Sequence, residues 1–331
     1  MKYLFPIVFL FILCSCGENK KASIGAIDID SLLVLYPDSV DLLVERGNRY
    51  LKTFEFDKAI ADGAKAFRID SNNLEARLLF ADILNNNPDR SITTDVSAAQ
   101  RHYKFALKKR PKDPKVLISL ASTYSQQMDF EESFKLINKA LRIDKRYRDA
   151  YVLKGSNYLF LNKPDLAKSS YETAVQQDPN FFEAYLMLGS LYQSENNEIC
   201  LEYYRTAVSL QPKNPDVLFS LAYAYQLFNQ PAKALALYRK MIQVDTAYYQ
   251  ALNQIGVIKQ YNYKEIDSAI YFYKSALQTE PRFVQAWHNL GMCYEERGDV
   301  SQALQSYGKA LKYDPNFEMS RERADQLKNA R

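Results

Sequence analysis

Val284-Gln285-Ala286-Trp287-His288-Asn289-Leu290-Gly291-Met292-Cys293-Tyr294, then a turn at Arg297-Gly298-Asp299, then Ala303, Tyr307, Ala310 and Leu311, closing on Asp314-Pro315, is one unit of a repeating pattern. Trp287, Leu290, Gly291 and Tyr294 fall at i, i+3, i+4 and i+7, one face of a helix, and Ala303, Tyr307, Ala310 and Leu311 mark one face of a second. Gly291 and Ala303 are small where bulky residues would hold the helices apart, so Tyr294 and Tyr307 can pack against the neighbouring helix. Such a hairpin cannot bury its apolar face alone. It must stack on a copy of itself, and each buried aliphatic or aromatic side chain then contributes roughly 1.5–3 kcal/mol.

The pattern returns from Val40 onward almost without gaps, at 40–73, 74–113, 114–147, 148–181, 182–214, 215–248, 249–283 and 284–317. One column of small residues runs Gly47, Ala81, Ala121, Gly155, Gly189, Ala222, Gly256, Gly291; a second runs Ala66, Ala106, Ala140, Ala174, Ala207, Met241, Ala276, Ala310. Asp178-Pro179, Gln211-Pro212, Glu280-Pro281 and Asp314-Pro315 end helices, because proline disfavours helical geometry in the residue before it. Trp287, Leu290, Gly291, Tyr294, Ala303, Tyr307, Ala310 and Pro315 resemble the signature of the tetratricopeptide repeat. The resemblance implies an all-α protein, a right-handed α-solenoid of about eight helix hairpins. Residues 318–331 continue as a charged C-terminal capping helix, with Met319, Ala324 and Leu327 available to cover the last repeat.

Departures from the pattern are specific. Met241 breaks the second column and requires a local adjustment. Arg46 and Gly63 stand where apolar or aromatic residues are expected, so the first repeat should be the loosest unless residues 24–37 cover it. In the second repeat Leu84 and Ala99 are fifteen positions apart where Tyr294 and Ala303 are nine. The extra residues fall in Asn85 to Val96, whose Asn-Asn-Asn-Pro-Asp run reads as a loop.

The 331 residues are 47% hydrophobic and 25% charged with only 10 glycines, and no sustained apolar–polar alternation marks a strand. The formal charge of +4 is small for the length and does not indicate a nucleic-acid partner. Lys104, Lys108, Lys109, Arg110 and Lys112 complement the carbonyl end of a predicted helix; a nucleic-acid patch is the alternative reading.

At the N-terminus Met1-Lys2 precedes an apolar run, Tyr3 to Leu13, far shorter than the roughly 20 residues a spanning helix needs. This is a secretory signal, and Leu13-Cys14-Ser15-Cys16-Gly17 resembles a bacterial lipobox. The resemblance implies lipidation of Cys16, cleavage before it and further acylation, palmitate included, of the new terminus; residues 1–15 are the signal peptide and loss of Lys2 takes +4 to +3. Cys14 is unusual two positions before the cleavage site, and an uncleaved anchor or plain secretion are the alternatives. Gly17 is not the aspartate that retains lipoproteins at the inner membrane in some bacteria, so the expected address is the outer membrane of a Gram-negative bacterium. Residues 16–39 then form a tether and an N-terminal cap, or residues 24–37 lie in the groove as an internal ligand.

No catalytic centre is expected. His102 and His288 sit more than five repeats apart, and His102 reads as a solvated helix residue. Cys200 and Cys293 are nearly three repeats apart and read as small buried packing residues rather than a disulfide. No phosphate loop, His-Glu-x-x-His or nucleophile elbow occurs, and no metal, cofactor or small-molecule substrate is expected. The tetratricopeptide resemblance places partner binding on the face lined by the first helix of each repeat. Val152, Leu186 and Phe219, with Tyr223, Leu227 and Tyr261 beside them, would take an apolar strip of a helix or extended peptide; the alternative is that several of them fill space between helices. The expected role is a non-catalytic, lipid-anchored adaptor holding protein partners in the cell envelope. A structural subunit of an envelope secretion or motility machine and a glycan-uptake accessory lipoprotein are the alternatives.

Overall fold

A computed structural model describes residues 28–89 and 91–329; the expected signal peptide, residues 1–15, and the expected lipidation site Cys16 lie outside the described residues. Every regular element among the described residues is helical. The chain falls into two compact units, Met1–His102 and Tyr103–Arg331.

The first unit contains α1 (Ile29–Leu35), α2 (Val40–Lys52), α3 (Phe56–Ile69) and α4 (Leu74–Asn86), followed by a π-helical turn at Ile92–Val96 that runs into α5 (Ser97–Lys109), the helix in which the unit ends. Helix α1 packs on α2, with Ile29 and Leu33 buried beside Leu43 and Ala66. Arg46, which broke the apolar pattern, donates through Nε and Nη2 to the Asp62 carboxylate at 2.7 Å each and through Nη1 to Asp30 of α1 at 2.6 Å. The glycines of this hairpin are occupied from α4: a Cβ on Gly63 would lie 2.5 Å from Ile83 Cδ1, and one on Gly47 would lie 2.6 Å from Leu79 Cδ2. Cover from α1 and side chains from α4 thus replace the missing aromatic residues.

Two expectations are corrected here. The Asn-Asn-Asn-Pro-Asp run is a loop only from Asn87 to Asp89, since α4 continues through Asn86; beyond it Ser91 and Asp95 bond each other's segment (Ser91 N to Asp95 Oδ2, 2.8 Å; Thr94 N to Ser91 Oγ, 3.4 Å) to close a helical turn that buries Val96. Nor is His102 solvated. Its ring lies edge-on to Phe67 at 5.2 Å and Phe80 at 5.7 Å, two rings stacked on each other at 5.2 Å. Burial, with help from Arg77 and Arg101, pushes its pKa below the ordinary histidine value.

The second unit begins within α5 and contains α6 (Pro114–Gln126), α7 (Phe130–Ile143), α8 (Arg148–Phe160), α9 (Pro164–Gln177), α10 (Phe182–Ser194), α11 (Cys200–Leu210), α12 (Pro215–Leu227), α13 (Pro231–Val244), α14 (Tyr249–Tyr261), α15 (Ile266–Thr279), α16 (Val284–Glu296), α17 (Val300–Tyr313) and α18 (Glu318–Asn329). From α6 on, each helix packs against the next, the arrangement of an α-solenoid. Starts are fixed locally. Proline occupies the first helical position at Pro114, Pro164, Pro215 and Pro231, and Asp113, Asp129, Asn214 and Asp299 accept from backbone N–H groups of the first turn. The turns inside the hairpins use left-handed residues: Met128, Asn162, Asn196, Asn229, Lys264 and Gly298 have φ between 53° and 76°.

The small column has a geometric cause. A Cβ on Gly155, Gly189, Gly256 or Gly291 would lie 2.5 to 2.8 Å from a ring atom of Tyr171, Tyr204, Tyr273 or Tyr307 respectively. Each glycine is the bed on which a buried tyrosine of the partner helix lies. Met241, the exception in the alanine column, is 3% exposed and packs with Leu218 and Ile255.

Candidate partner-binding cleft

Helices α12, α14, α16 and α18 of the second unit together line an open cleft of about 690 Å³. Tyr223 of α12, Val257 and Tyr261 of α14, Met292 of α16 and Met319 of α18 give it an apolar strip. Tyr223 and Tyr261 are 40% and 44% exposed, although helices anchor both. The Tyr261 hydroxyl donates to Met292 Sδ at 3.4 Å, which ties two of the helices across the strip.

Beneath the strip lie polar groups whose hydrogen bonds are made inside the protein. Asn289 Nδ2 donates to Asn253 Oδ1 at 3.2 Å, and His288 Nδ1 is 2.9 Å from Ser320 Oγ of α18. The His288 ring also lies 5.5 Å from Phe317 and 5.6 Å from Tyr307. Burial, with Arg323 second, pushes its pKa below the ordinary value, so the ring is neutral at pH 7. Arg323 bonds Glu295, which also accepts from the Tyr307 hydroxyl at 2.9 Å. These bonds fasten α18 to α16 and α17 and make the last helix a fixed wall of the cleft.

Of the six residues expected to bind a partner, Tyr223 and Tyr261 line this cleft. Leu227 is 46% exposed near the end of α12, outside its lining. Val152, Leu186 and Phe219 are half-buried between helices: Val152 against the Tyr171 and Leu188 cluster, Leu186 against the Cys200 and Leu221 cluster, and Phe219 with its ring 5.6 Å from Tyr238. Met319 and Arg323 were absent from the expectation because they come from the capping segment rather than from a repeat, and Phe317 because it closes the last repeat beyond its second helix.

Cys200 and Cys293 are buried free thiols whose pKa values burial raises to about 11 and about 12, so neither is a nucleophile at neutral pH. Among the described residues no group of three or more His, Cys, Asp or Glu could hold a metal ion, and no helix is long and apolar enough to cross a membrane.

Models of the tetratricopeptide repeat match residues 114–147, 149–181, 182–214, 203–236 and 284–317. Human protein O-mannosyl-transferase TMTC3 is 26% identical over 222 residues, 64% of this chain and 24% of that protein. The BBSome complex member BBS4 homologue of Drosophila melanogaster is 26% identical over 153 residues, 46% of this chain and 31% of its own length. The chain thus spans less than a third of the length of either relative. In the solved hetero-tetramer of the anaphase-promoting complex proteins Cut9 and Hcn1, a chain 16% identical superposes with a TM-score of 0.59, covering 90% of this chain and 58% of that one, and so shares the fold. The hairpins matched within residues 114–236 and 284–317 are tetratricopeptide repeats.

Proposed function

We propose that the chain is a non-catalytic adaptor, anchored by lipid at Cys16 in the envelope of a Gram-negative bacterium, that holds a protein partner in the cleft between α12 and α18. Tetratricopeptide repeats mediate protein–protein interaction, and the observation that carries the reading is the cleft itself. Exposed Tyr223, Tyr261 and Met319 stand on well-anchored helices beside the bonded pairs Asn253–Asn289 and His288–Ser320, so a partner gains from covering the apolar strip without having to bond those groups, and Gln254, Gln285 and Glu322 of the lining are available to bond it. An amphipathic helix or extended segment with an apolar strip fits that demand. Leu13-Cys14-Ser15-Cys16 supports the anchor, and two or three acyl chains would make it stable, each buried methylene adding about 0.8 kcal/mol.

Two independent tests apply. A photoreactive residue at Tyr261 should capture a partner in whole cells, and Tyr223→Glu with Tyr261→Glu should abolish that partner's co-purification while leaving the circular dichroism unchanged. A folded double variant that retains every partner would dispose of the cleft. Cys16→Ala should move the protein out of the membrane fraction, and a variant that stays there would dispose of the anchor.

A further inference from the structure

The charges of this chain are not spread evenly. Residues 104–148 hold twelve Lys and Arg against five Asp and Glu, a balance of +7, while the whole chain carries +4. The excess gathers at one end of two helices, within the second unit. Lys108, Lys109 and Lys112 stand at and just beyond the end of α5, and Arg142, Lys145 and Arg146 stand at and just beyond the end of α7. All six are exposed, and none of their side chains is in an ion pair or a hydrogen bond with another described residue. The carboxylates nearest in sequence are engaged by the backbone: Asp113 accepts from the N–H groups of Lys115 and Val116, and Asp144 accepts from that of Arg146. Glu131 and Glu132 pair with Lys135 near the start of α7.

The two rows of cations form one face. Leu107 of α5 and Leu141 of α7 pack on the same cluster, with Leu117, Ile137 and Ala140, and the helices that follow the two turns, α6 and α8, are in contact. Burial, with Asp149 and then Asp113, raises the pKa of the Tyr147 hydroxyl to about 12, which sets the Asp113 turn beside the Tyr147 turn. Helix ends do not require these cations. Helices α9, α11, α13 and α15 close with no basic residue in the last turn, and Lys112, Lys145 and Arg146 lie beyond their helices altogether.

From this charge and its placement we infer that the face at the ends of α5 and α7 rests on a bilayer surface of anionic phospholipid. The inference rests on the lipid anchor proposed above, which brings the bilayer within reach. Cys16 lies twelve residues before Asp28, so at most roughly 40 Å of chain separates the acyl site from the described fold. Composition favours headgroups over other polyanions. Four of the six cations are lysines, which the cores of protein–protein interfaces avoid but which a layer of phosphates attracts as point charges. Every aromatic ring from Tyr103 to Tyr147 is buried or half-buried, so unpaired bases would find nothing to stack on. Ile143, 40% exposed among the cations, is an aliphatic side chain able to enter the headgroup layer. Contact here fixes which face of the second unit meets the membrane, which an acyl anchor alone does not.

The test uses residues 16–331 with Cys16→Ser, which contain every described residue and carry no acyl group, so any vesicle binding belongs to the fold. This chain should bind saturably to phosphatidylcholine vesicles containing about a quarter phosphatidylglycerol at about 0.1 M salt, and neither to phosphatidylcholine alone nor at about 1 M salt. Lys108→Gln, Lys109→Gln, Arg142→Gln and Lys145→Gln together should weaken binding roughly a hundredfold or more, at about fivefold per cation, with an unchanged far-UV spectrum. The same number of charges removed elsewhere, by Lys233→Gln, Lys240→Gln, Lys274→Gln and Lys309→Gln, should leave binding nearly unchanged. The inference is overturned by no binding to the anionic vesicles, by equal binding to neutral ones, by undiminished binding of the folded fourfold variant, by an equal loss in the control variant, or by a glutamate peptide or DNA duplex that binds where the vesicles do not. Because the probe chain is unacylated, a failed anchor shows only in the Cys16→Ala fractionation and a failed patch only in the vesicle titration.

Discussion

Consider Gly291→Ala, the smallest change that can be made to the repeated hairpin. The added Cβ would sit 2.6 Å from Tyr307 Cε1 and 2.7 Å from Cδ1, whereas ordinary contact begins near 3.4 Å. The ring must retreat by roughly 0.8 Å, but it has nowhere to go. Tyr307 is fully buried, its hydroxyl is held at 2.9 Å by Glu295, and that carboxylate is itself fixed by Arg323. Overpacking of a filled site costs about 1–3 kcal/mol, and disturbing the hydroxyl bond costs about 1 kcal/mol more. Against this, alanine is preferred over glycine in a helix interior by about 1 kcal/mol. The balance is a loss of about 1–3 kcal/mol.

Gly308→Ala, one helix away, supplies the control. Nothing lies within 4 Å of its Cβ site, so only the helix preference acts and the variant should gain up to about 1 kcal/mol. The two glycine-to-alanine changes should therefore shift the urea midpoint, followed by far-UV circular dichroism, in opposite directions. Tyr307→Leu should relieve part of the Gly291→Ala penalty in a double-mutant cycle, because the ring causes the conflict. Midpoints that move the same way for both glycines, or a cycle with no coupling, would refute the account of the small column.

Met128→Asn should stabilise by about 1 kcal/mol, since Met128 holds φ at 62° where other hairpins place Asn162, Asn196 and Asn229; thermal melting checks it. Arg46→Met should destabilise the first unit by about 2–4 kcal/mol by stranding the Asp62 carboxylate, which is 5% exposed, and Arg46→Met with Asp62→Leu should recover most of the loss, as read by hydrogen exchange of α2 and α3. Burial lowers the pKa of both His102 and His288 in the folded chain, so the unfolded chain binds more protons near the ordinary histidine value of 6.5. Stability is then full above that value and falls as the pH drops below it, and His102→Gln with His288→Gln should flatten the dependence of the urea midpoint between about pH 7 and about pH 5.5.

Spacing alone was enough to read the fold, because Gly291 and Tyr307 are fixed by each other. The π-helical turn at Ile92–Val96 was not legible: Ser91, Thr93, Thr94 and Asp95 have the composition of a loop, and only their mutual bonds, together with the burial of Val96, close it into a helical turn. His102 was misread for a related reason, since Phe67 and Phe80 reach it from other helices.

The candidate cleft lies between these cases. Each first helix in the stack is covered on two sides, so an apolar residue can either fill a gap or line a surface, and periodicity does not say which. Val152, Leu186 and Phe219 are half-buried, sharing packing with Tyr171, Cys200 and Tyr238 while keeping part of their surface open. The residue that follows each small column position changes along the second unit, and where it is Ser156 its hydroxyl lies 3.0 Å from that of the bedded Tyr171. In the 114–147, 148–181 and 182–214 repeats it is Ser122, Ser156 and Ser190; in the last three it is Tyr223, Val257 and Met292, all of which line the cleft. That change from serine to large apolar residues marks where the exposed strip begins, and α18, which adds Met319 and is pinned by His288–Ser320 and Glu295–Arg323, marks where it ends.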